Sequence, residues 1–257
     1  MAILSPETIA ENGLVKNSSG TNTREQDAQL LHTVDSIMKG RFSCRYFLPK
    51  PVSRRVLEEV LDVARFAPSG NNTQPWEKVY CISGEELKTL GEAMVNASRE
   101  KPNLYSSQYQ YYPAISPAHY FTKRRQEAGA VLYGSMGIAR EDAEGREKAS
   151  SRNYNFYDAP VALVFTIHKD LTQGSWLDVG YFIQSITVAA RTRGLETVSQ
   201  ESVSKYHSVM RKYLPIAEHE IVAVGMSMGY PDLEKVAQFP ARQPKRELSD
   251  IVEFHGL

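Results

Sequence analysis

Residues 159–168 (APVALVFTIH) form an almost unbroken apolar run, which predicts a buried β-strand. A second run of this kind, EIVAVGMSMGY, occupies residues 220–230, and EKVYCI at 77–82 predicts a shorter strand. Apolar residues at helical spacing predict helices in the segments that surround these strands: 24–39, the stretch after Ser53, 84–98, much of 123–152, and 175–193. The strands are not joined in a regular β-α-β series, so an α+β fold is favoured over a doubly wound sheet.

Composition excludes several classes of protein. The chain has 257 residues, with 30 Lys and Arg against 30 Asp and Glu, and a zero net charge argues against a nucleic-acid binder. Cys44 and Cys81 are too few for a disulfide scaffold and suit a reducing, cytoplasmic location. Six scattered histidines indicate no metal site, and no apolar run reaches the ~20 residues that span a membrane.

The first 23 residues lack the apolar core of a secretory signal, and we expect them to be a flexible tail. The alternative is an arm that packs on a partner subunit. Folded structure is expected from residue 24 to residue 257, as a single domain.

Three short segments have compositions that suit chemistry. In RFSCR (41–45), an extended backbone would place Arg41, Ser43 and Arg45 on one face, where two guanidinium groups flank a hydroxyl. Such a set suits a phosphate monoester. A solvated basic strand edge is the alternative interpretation.

The second segment is PSGNNTQPW (68–76), whose short and amide-bearing side chains could lie against a flat polar heterocycle. The third is GLETVSQES (194–202), which we interpret as a loop that runs into a helix N-terminus and presents free amide hydrogens. Each could also be a plain connection between elements.

Taken together, these segments resemble the nitroreductase family of FMN-dependent oxidoreductases over about residues 38–252. The resemblance rests on RxSxR, on APSGNNTQPW, on the strand that begins Asp158-Ala159-Pro160, on GLETVSQES, and on VAVGMSMGYPD with the basic tail ARQPKRELSDIV. It implies a central, mostly antiparallel sheet flanked by helices and an interwoven homodimer. It also implies that the C-terminal extension, 231–257, crosses to the partner subunit.

The resemblance assigns the cofactor-binding residues by position. Arg41, Ser43 and Arg45 would hold the FMN phosphate and ribityl chain, together with Arg242 from the tail. A loop from the other subunit would reach the flavin through these residues: Pro68, Ser69, Gly70, Asn72 and Gln74.

Glu201 and Ser202 match the family segment beside the isoalloxazine, with the Glu201 backbone amide near flavin N5. Relatives often have Pro-x-Glu-Gly where this chain has Ser199-Gln200-Glu201-Ser202. No catalytic side chain is expected, because flavin N5 carries the hydride.

The implied function is reduction of nitroaromatic or quinone-like acceptors by NADH or NADPH, with ping-pong kinetics. One alternative is a flavin-dependent dehydrogenase or oxidase of a small biosynthetic intermediate, and another is a non-catalytic flavin-binding protein.

Residues 101–125 contain many aromatic residues, followed by Lys123-Arg124-Arg125. Aromatic rings beside cations suit a flat, carboxylated aromatic substrate, and we expect Tyr120 with Arg124 or Arg125 to bind its acidic substituent. The alternative is an aromatic packing cluster beside a solvated charge run.

Overall fold

The computed structural model describes residues 24–100, 102–110 and 115–257. The predicted tail at 1–23, and Tyr111 and Tyr112 of the aromatic segment, lie outside the described residues. The chain divides into two units at Gly40 and Arg41. In the first unit, the described residues form helix α1 (Arg24–Gly40), as predicted. The second unit is Arg41–Leu257, and the predicted single domain from residue 24 stays a prediction.

The second unit is built on a sheet with strand order β1-β2-β4-β3, and every neighbouring pair is antiparallel. Its strands are β1 (Trp76–Ser83), β2 (Val161–His168), β3 (Glu196–Gln200) and β4 (Glu220–Gly229). The predicted α+β class and antiparallel sheet are confirmed. The interpretation of 194–202 as a loop was wrong, because residues 196–200 form an edge strand that pairs with β4.

Helices pack on both faces of this sheet. α2 (Arg54–Ala64) and α6 (Gln173–Arg191) contribute to the core on one face, and α3 (Gly84–Glu100) and α7 (His207–Met210) to the core on the other. The described part of this unit also contains the helices α4 (Tyr120–Ser135), α5 (Ala143–Ser151) and α8 (Leu233–Gln238). Ser53 caps α2 by accepting from the Val56 N–H at 3.4 Å, as its position before the helix predicts. The helical spacing of its apolar residues predicts Val63 on the buried face of α2, but Val63 is half exposed, and Ala64, one turn after Val60, takes the core position.

The core has two parts, which explains the apolar run of β2. Val161, Leu163, Phe165 and Ile167 pack into the cluster that includes α2 and α6. Ala162 and Val164 belong to the cluster that includes α3 and α7. Because β2 is buried on both faces, apolar residues occupy successive positions instead of alternate ones.

A carboxylate is buried where β4 begins. Glu220 accepts hydrogen bonds from the Thr166 hydroxyl at 2.5 Å, the Tyr80 hydroxyl at 3.0 Å and the Ala217 N–H at 3.0 Å. Burial raises the pKa of this carboxyl, but these hydrogen bonds outweigh it and hold the pKa of Glu220 below its ordinary value. The charged form of Glu220 therefore stabilises the folded state.

None of the helices in the described residues combines the length and apolar character that a bilayer crossing requires.

Candidate functional site

The segment from Arg41 to Phe47 runs beside the edge strand β3. Ser43 forms a parallel bridge with Thr197, and the Cys44 N–H donates to the Thr197 carbonyl at 3.1 Å. The Cys44 side chain is fully buried, and burial raises the pKa of its thiol to about 11. Because side chains alternate along an extended backbone, Ser43 and Arg45 face away from Cys44.

Ser43 and Arg45 line a groove of about 200 Å³, and Arg242 from the C-terminal tail lines the same groove. We call it the first groove. The Arg45 Nη1 donates to the Ser43 carbonyl at 3.1 Å, while its Nε is buried with no hydrogen-bond partner among the described residues. A buried N–H without an acceptor is costly, so this atom favours an anionic ligand. Arg41 is half buried and lies outside the groove lining.

The start of the tail reaches the first groove through contacts with its own chain. The Phe239 ring stacks on Tyr46 at 5.3 Å between centroids, and the Asp232 N–H donates to the Tyr46 carbonyl at 3.0 Å. Farther along, the Gln243 side chain donates to the Ala128 carbonyl of α4 at 3.1 Å. These contacts explain how Arg242 comes to share a groove with a segment near the other end of the unit.

A second groove, of about 700 Å³, contains the end of β3. Ser199 and Glu201 line it, together with Tyr109 and Trp176. The Tyr109 and Trp176 rings lie 4.5 Å apart, and partial burial raises the pKa of the Glu201 carboxyl. Ser202 continues into the 3₁₀ helix Glu201–Tyr206, so serine is accommodated where relatives often have glycine.

The loop at 68–74 is mostly exposed, and its backbone is strained. Asn71, Asn72 and Gln74 have φ angles of 51°, 54° and 47°, a region that glutamine rarely adopts. The Gly70 N–H donates to the Asp178 carboxylate of α6 at 3.1 Å, and this contact fixes the loop against the helix. Strained, exposed loops of this kind are typical of ligand contacts.

None of the cofactor residues predicted in that loop lines either groove. Pro68, Gly70, Asn72 and Gln74 are exposed, and Ser69 is half buried, where its hydroxyl accepts from the Gln74 N–H at 3.0 Å. The structure therefore brings Ser43, Arg45 and Arg242 together, whereas Glu201 and the loop occupy two other places.

The predicted substrate residues lie at the start of α4. The Arg124 guanidinium lies 4.8 Å from the Tyr120 ring centroid and 5.4 Å from that of Phe121, and both rings are about half exposed. Arg125 is exposed next to them. The last turns of the same helix line the first groove, so α4 connects the aromatic cluster with that groove.

Sequence reasoning missed Trp176 and Asp178 as parts of the site. Both lie near the N-terminal end of α6, where Trp176 fits the helical pattern of a core residue and Asp178 that of a polar surface. Their contacts with Tyr109 and Gly70 come from tertiary structure, and no local sequence signal distinguishes them.

The family model for the nitroreductase family matches residues 38–230. The chain is 34% identical over 230 residues to a 4-nitrobenzoate reductase of Pseudomonas putida, covering 90% of this chain and 99% of that protein. It is 36% identical over 221 residues to a nitrobenzene nitroreductase of Ectopseudomonas oleovorans, covering 86% and 96%.

A solved structure supports the same relationship. The FMN-dependent nitroreductase NfnB from Mycobacterium smegmatis, in complex with NADPH, superposes with a TM-score of 0.81 at 28% identity. The alignment covers 88% of this chain and 99% of that one. With a family match over most of the second unit and relatives aligned along nearly their whole length, this chain belongs to the nitroreductase family.

Proposed function

We propose that this protein reduces the nitro group of aromatic substrates, with bound FMN as cofactor and NADH or NADPH as electron donor. The observation that carries the proposal is the meeting of Ser43, Arg45 and Arg242 in the first groove. As a nitroreductase, the protein is an FMN- and NAD(P)H-dependent oxidoreductase. A cytoplasmic location is part of the proposal, and the two free cysteines suit it.

The first groove fits a phosphate group. A phosphate monoester offers several acceptor oxygens, and the groove offers the Ser43 hydroxyl, the Arg242 guanidinium and the unpartnered Nε of Arg45. Guanidinium groups are well suited to planar, paired hydrogen bonds with phosphate. These residues would hold the FMN phosphate, and we retain Arg41 as a fourth contributor on the basis of the family resemblance.

The segment Ser199–Ser202 would flank the flavin ring. It ends β3 and enters a 3₁₀ helix, where backbone N–H groups lack the partners of a full helix. We assign the Glu201 backbone N–H to the ring nitrogen N5, with Ser202 beside it. FMN supplies the hydride-accepting and hydride-donating chemistry when bound, so the protein needs no nucleophilic side chain. Its part is to orient the ring and both substrates.

A homodimer would complete the site. The loop at 68–74 is exposed and lies outside both grooves of its own chain, as expected if its residues serve the partner's flavin. Beyond Gln243, the tail has exposed apolar side chains at Leu248, Ile251 and Phe254. Burial of these side chains on a second copy would stabilise a dimer in which the end of the predicted crossing segment 231–257, beyond Gln243, lies on the partner.

The substrate class that we propose is a nitroarene with an acidic substituent. Arg124 presents a cation beside the half-exposed rings of Tyr120 and Phe121, and Arg125 adds a second cation. Aromatic faces suit a flat ring, and a guanidinium suits a carboxylate. The relative that is a 4-nitrobenzoate reductase supports this choice.

Anaerobic stopped-flow spectroscopy tests the proposal. The purified protein is mixed with NADH or with NADPH, and the flavin absorbance is followed before and after addition of 4-nitrobenzoate. We expect fast bleaching with at least one donor and recovery with the nitroarene, with ping-pong steady-state kinetics. A flavin that stays oxidised with both donors would contradict the reductase direction and favour the substrate-oxidising alternative. A colourless protein that cannot be reconstituted with FMN would refute the cofactor assignment.

A further inference from the structure

Arg152, the residue that follows α5, supports the phosphate-binding segment from behind. Its Nη2 donates to the Arg45 carbonyl at 2.9 Å, and its guanidinium lies 4.8 Å from the centroid of the Tyr46 ring. Arg45 and Tyr46 both line the first groove. Arg152 itself lines a neighbouring cavity of about 450 Å³, so it stands between this cavity and the residues of the groove. No part of the function proposed above uses Arg152.

Tyr157 joins the two arginines. Its ring lies 5.5 Å from the Arg152 guanidinium and 5.9 Å from that of Arg45. The Tyr157 hydroxyl donates to the Asn153 Oδ1 at 2.9 Å, which orients the ring. A buried aromatic face shared by two cations attracts both guanidinium groups and restricts the directions in which they point.

The backbone beneath this ring is strained. Phe156, Tyr157 and Asp158 have φ angles of 54°, 55° and 57°, although none of them is glycine. Left-handed backbone at aromatic residues persists where surrounding contacts impose it, and such strain concentrates at functional sites. Phe156 is fully buried and Tyr157 nearly so, so the surrounding core holds the ring in place.

The same cluster is anchored to the sheet beside the second groove. The Gln200 side chain donates to the Asn153 carbonyl at 2.7 Å, and the Ser227 hydroxyl donates to the Gln200 side chain at 2.6 Å. Gln200 is the last residue of β3 and lies between Ser199 and Glu201, which line the second groove. The Tyr157 ring beside Arg45 is therefore linked, through Asn153 and Gln200, to the strand that ends at the proposed flavin-ring segment.

We propose that Arg152 is a positioning residue for Arg45 in the recognition of the cofactor's phosphate. It fixes the Arg45 backbone through the carbonyl, and through the shared Tyr157 face it restricts the Arg45 guanidinium to orientations that serve the groove. Its own charge adds to the positive potential behind the groove. The inference rests on the proposed function, because the FMN phosphate is the ligand that Arg45 would bind.

The test compares two flavins that differ in the phosphate. Full-length wild-type protein, Arg152→Met and Arg152→Lys are titrated with FMN and, separately, with riboflavin, and binding is followed by flavin fluorescence. For Arg152→Met we expect the FMN dissociation constant to rise about tenfold, while that for riboflavin stays unchanged. Arg152→Lys keeps the charge but loses the planar guanidinium, so its loss of FMN affinity should be smaller. If Arg152→Met does not fold, this lysine variant carries the test.

Lys148→Met is the matched control, because Lys148 lines the same cavity as Arg152 and its replacement removes one positive charge. It should leave both dissociation constants unchanged. An equal loss of FMN and riboflavin affinity in Arg152→Met would show general damage and overturn the inference, as would unchanged FMN affinity in that variant. Wild-type protein that binds neither flavin would overturn the proposed function and this inference with it.

Discussion

The replacement Gly225→Ala tests the close packing behind the second groove. Gly225 lies in β4 opposite Gln200 of β3. A Cβ at this position would lie 2.6 Å from Val203 Cγ2 and 3.2 Å from Phe156 Cε1. Val203 belongs to the 3₁₀ helix that begins at Glu201, so pressure on Val203 acts on the segment that lines the groove.

The size of the effect follows from this overlap. The contact with Val203 must open by roughly 0.9 Å to reach a normal carbon–carbon separation of about 3.5 Å. Val203 and Phe156 are both fully buried, so the core has little room to relax, and we place the packing cost at about 2–3 kcal/mol. The loss of glycine's freedom in the unfolded chain offsets about 0.5–1 kcal/mol. The free energy of unfolding should fall by about 2 kcal/mol.

A double-mutant cycle separates this contact from general damage. Val203→Ala alone should cost about 2 kcal/mol through lost burial and the cavity left behind. In the double variant with Gly225→Ala, the small side chain at 203 removes the overlap, so the loss should stay near that of Val203→Ala. Urea unfolding of all four proteins at one protein concentration measures these values. Additive losses, or a Gly225→Ala variant within about 0.5 kcal/mol of wild type, would refute the reasoning.

Three further predictions concern the loop, the buried carboxylate and the substrate. Asp178→Ala removes the acceptor of the Gly70 N–H and should destabilise the loop by about 1 kcal/mol, which faster proteolysis within the loop would show. Asp178→Asn keeps an acceptor, so its proteolysis rate should rise less. Equal rates in both variants would contradict this. Hydrogen bonds outweigh burial and lower the pKa of Glu220, so its charged form stabilises the fold above the unfolded pKa of about 4.3, and this stabilisation is lost as pH falls through the folded pKa. The difference in melting temperature between wild type and Glu220→Gln should therefore be largest at neutral pH and smallest at pH 3 or below. A difference that stays constant with pH would argue against this. Replacing Arg124 and Arg125 with alanine should raise KM for 4-nitrobenzoate by roughly fivefold or more and leave KM for nitrobenzene unchanged, whereas equal changes for both substrates would exclude a role in binding the acidic group.

Local patterns predicted the parts of the fold whose cause is local. The almost unbroken apolar run at 159–168 indicates a strand covered on both faces, and the structure places helices on both sides of β2. The position of Ser53 directly before an amphipathic helix predicts the cap that the structure shows. The edge strand β3 was missed because five residues, ETVSQ, are too few to show a period, and its pairing with β4 is set by tertiary structure.

In the candidate site, too, the sequence predicts what depends on neighbouring residues and misses what depends on tertiary structure. Ser43 and Arg45 lie two residues apart in an extended segment, so their shared groove follows from backbone geometry. Arg242 was connected with them by family resemblance, because no local pattern relates positions so distant in the chain. Arg152 gave no signal in the sequence, since the role that we propose for it depends on the strained turn at 156–158 and on the Tyr46 ring.

The strand order β1-β2-β4-β3 determines when each strand can pair while the chain is being synthesised. After β1 is made, roughly 80 residues must follow before its partner β2 begins, which takes about 4–16 s at common translation rates. The second edge of β2 then stays unpaired until β4, near the C-terminus, is synthesised. The segment at 41–47 lies against Thr197 of β3, and β3 pairs with β4. The segment at 41–47, which is synthesised early, therefore gains its partner strands late, and a chain released before β4 is made has neither a complete sheet nor a formed first groove.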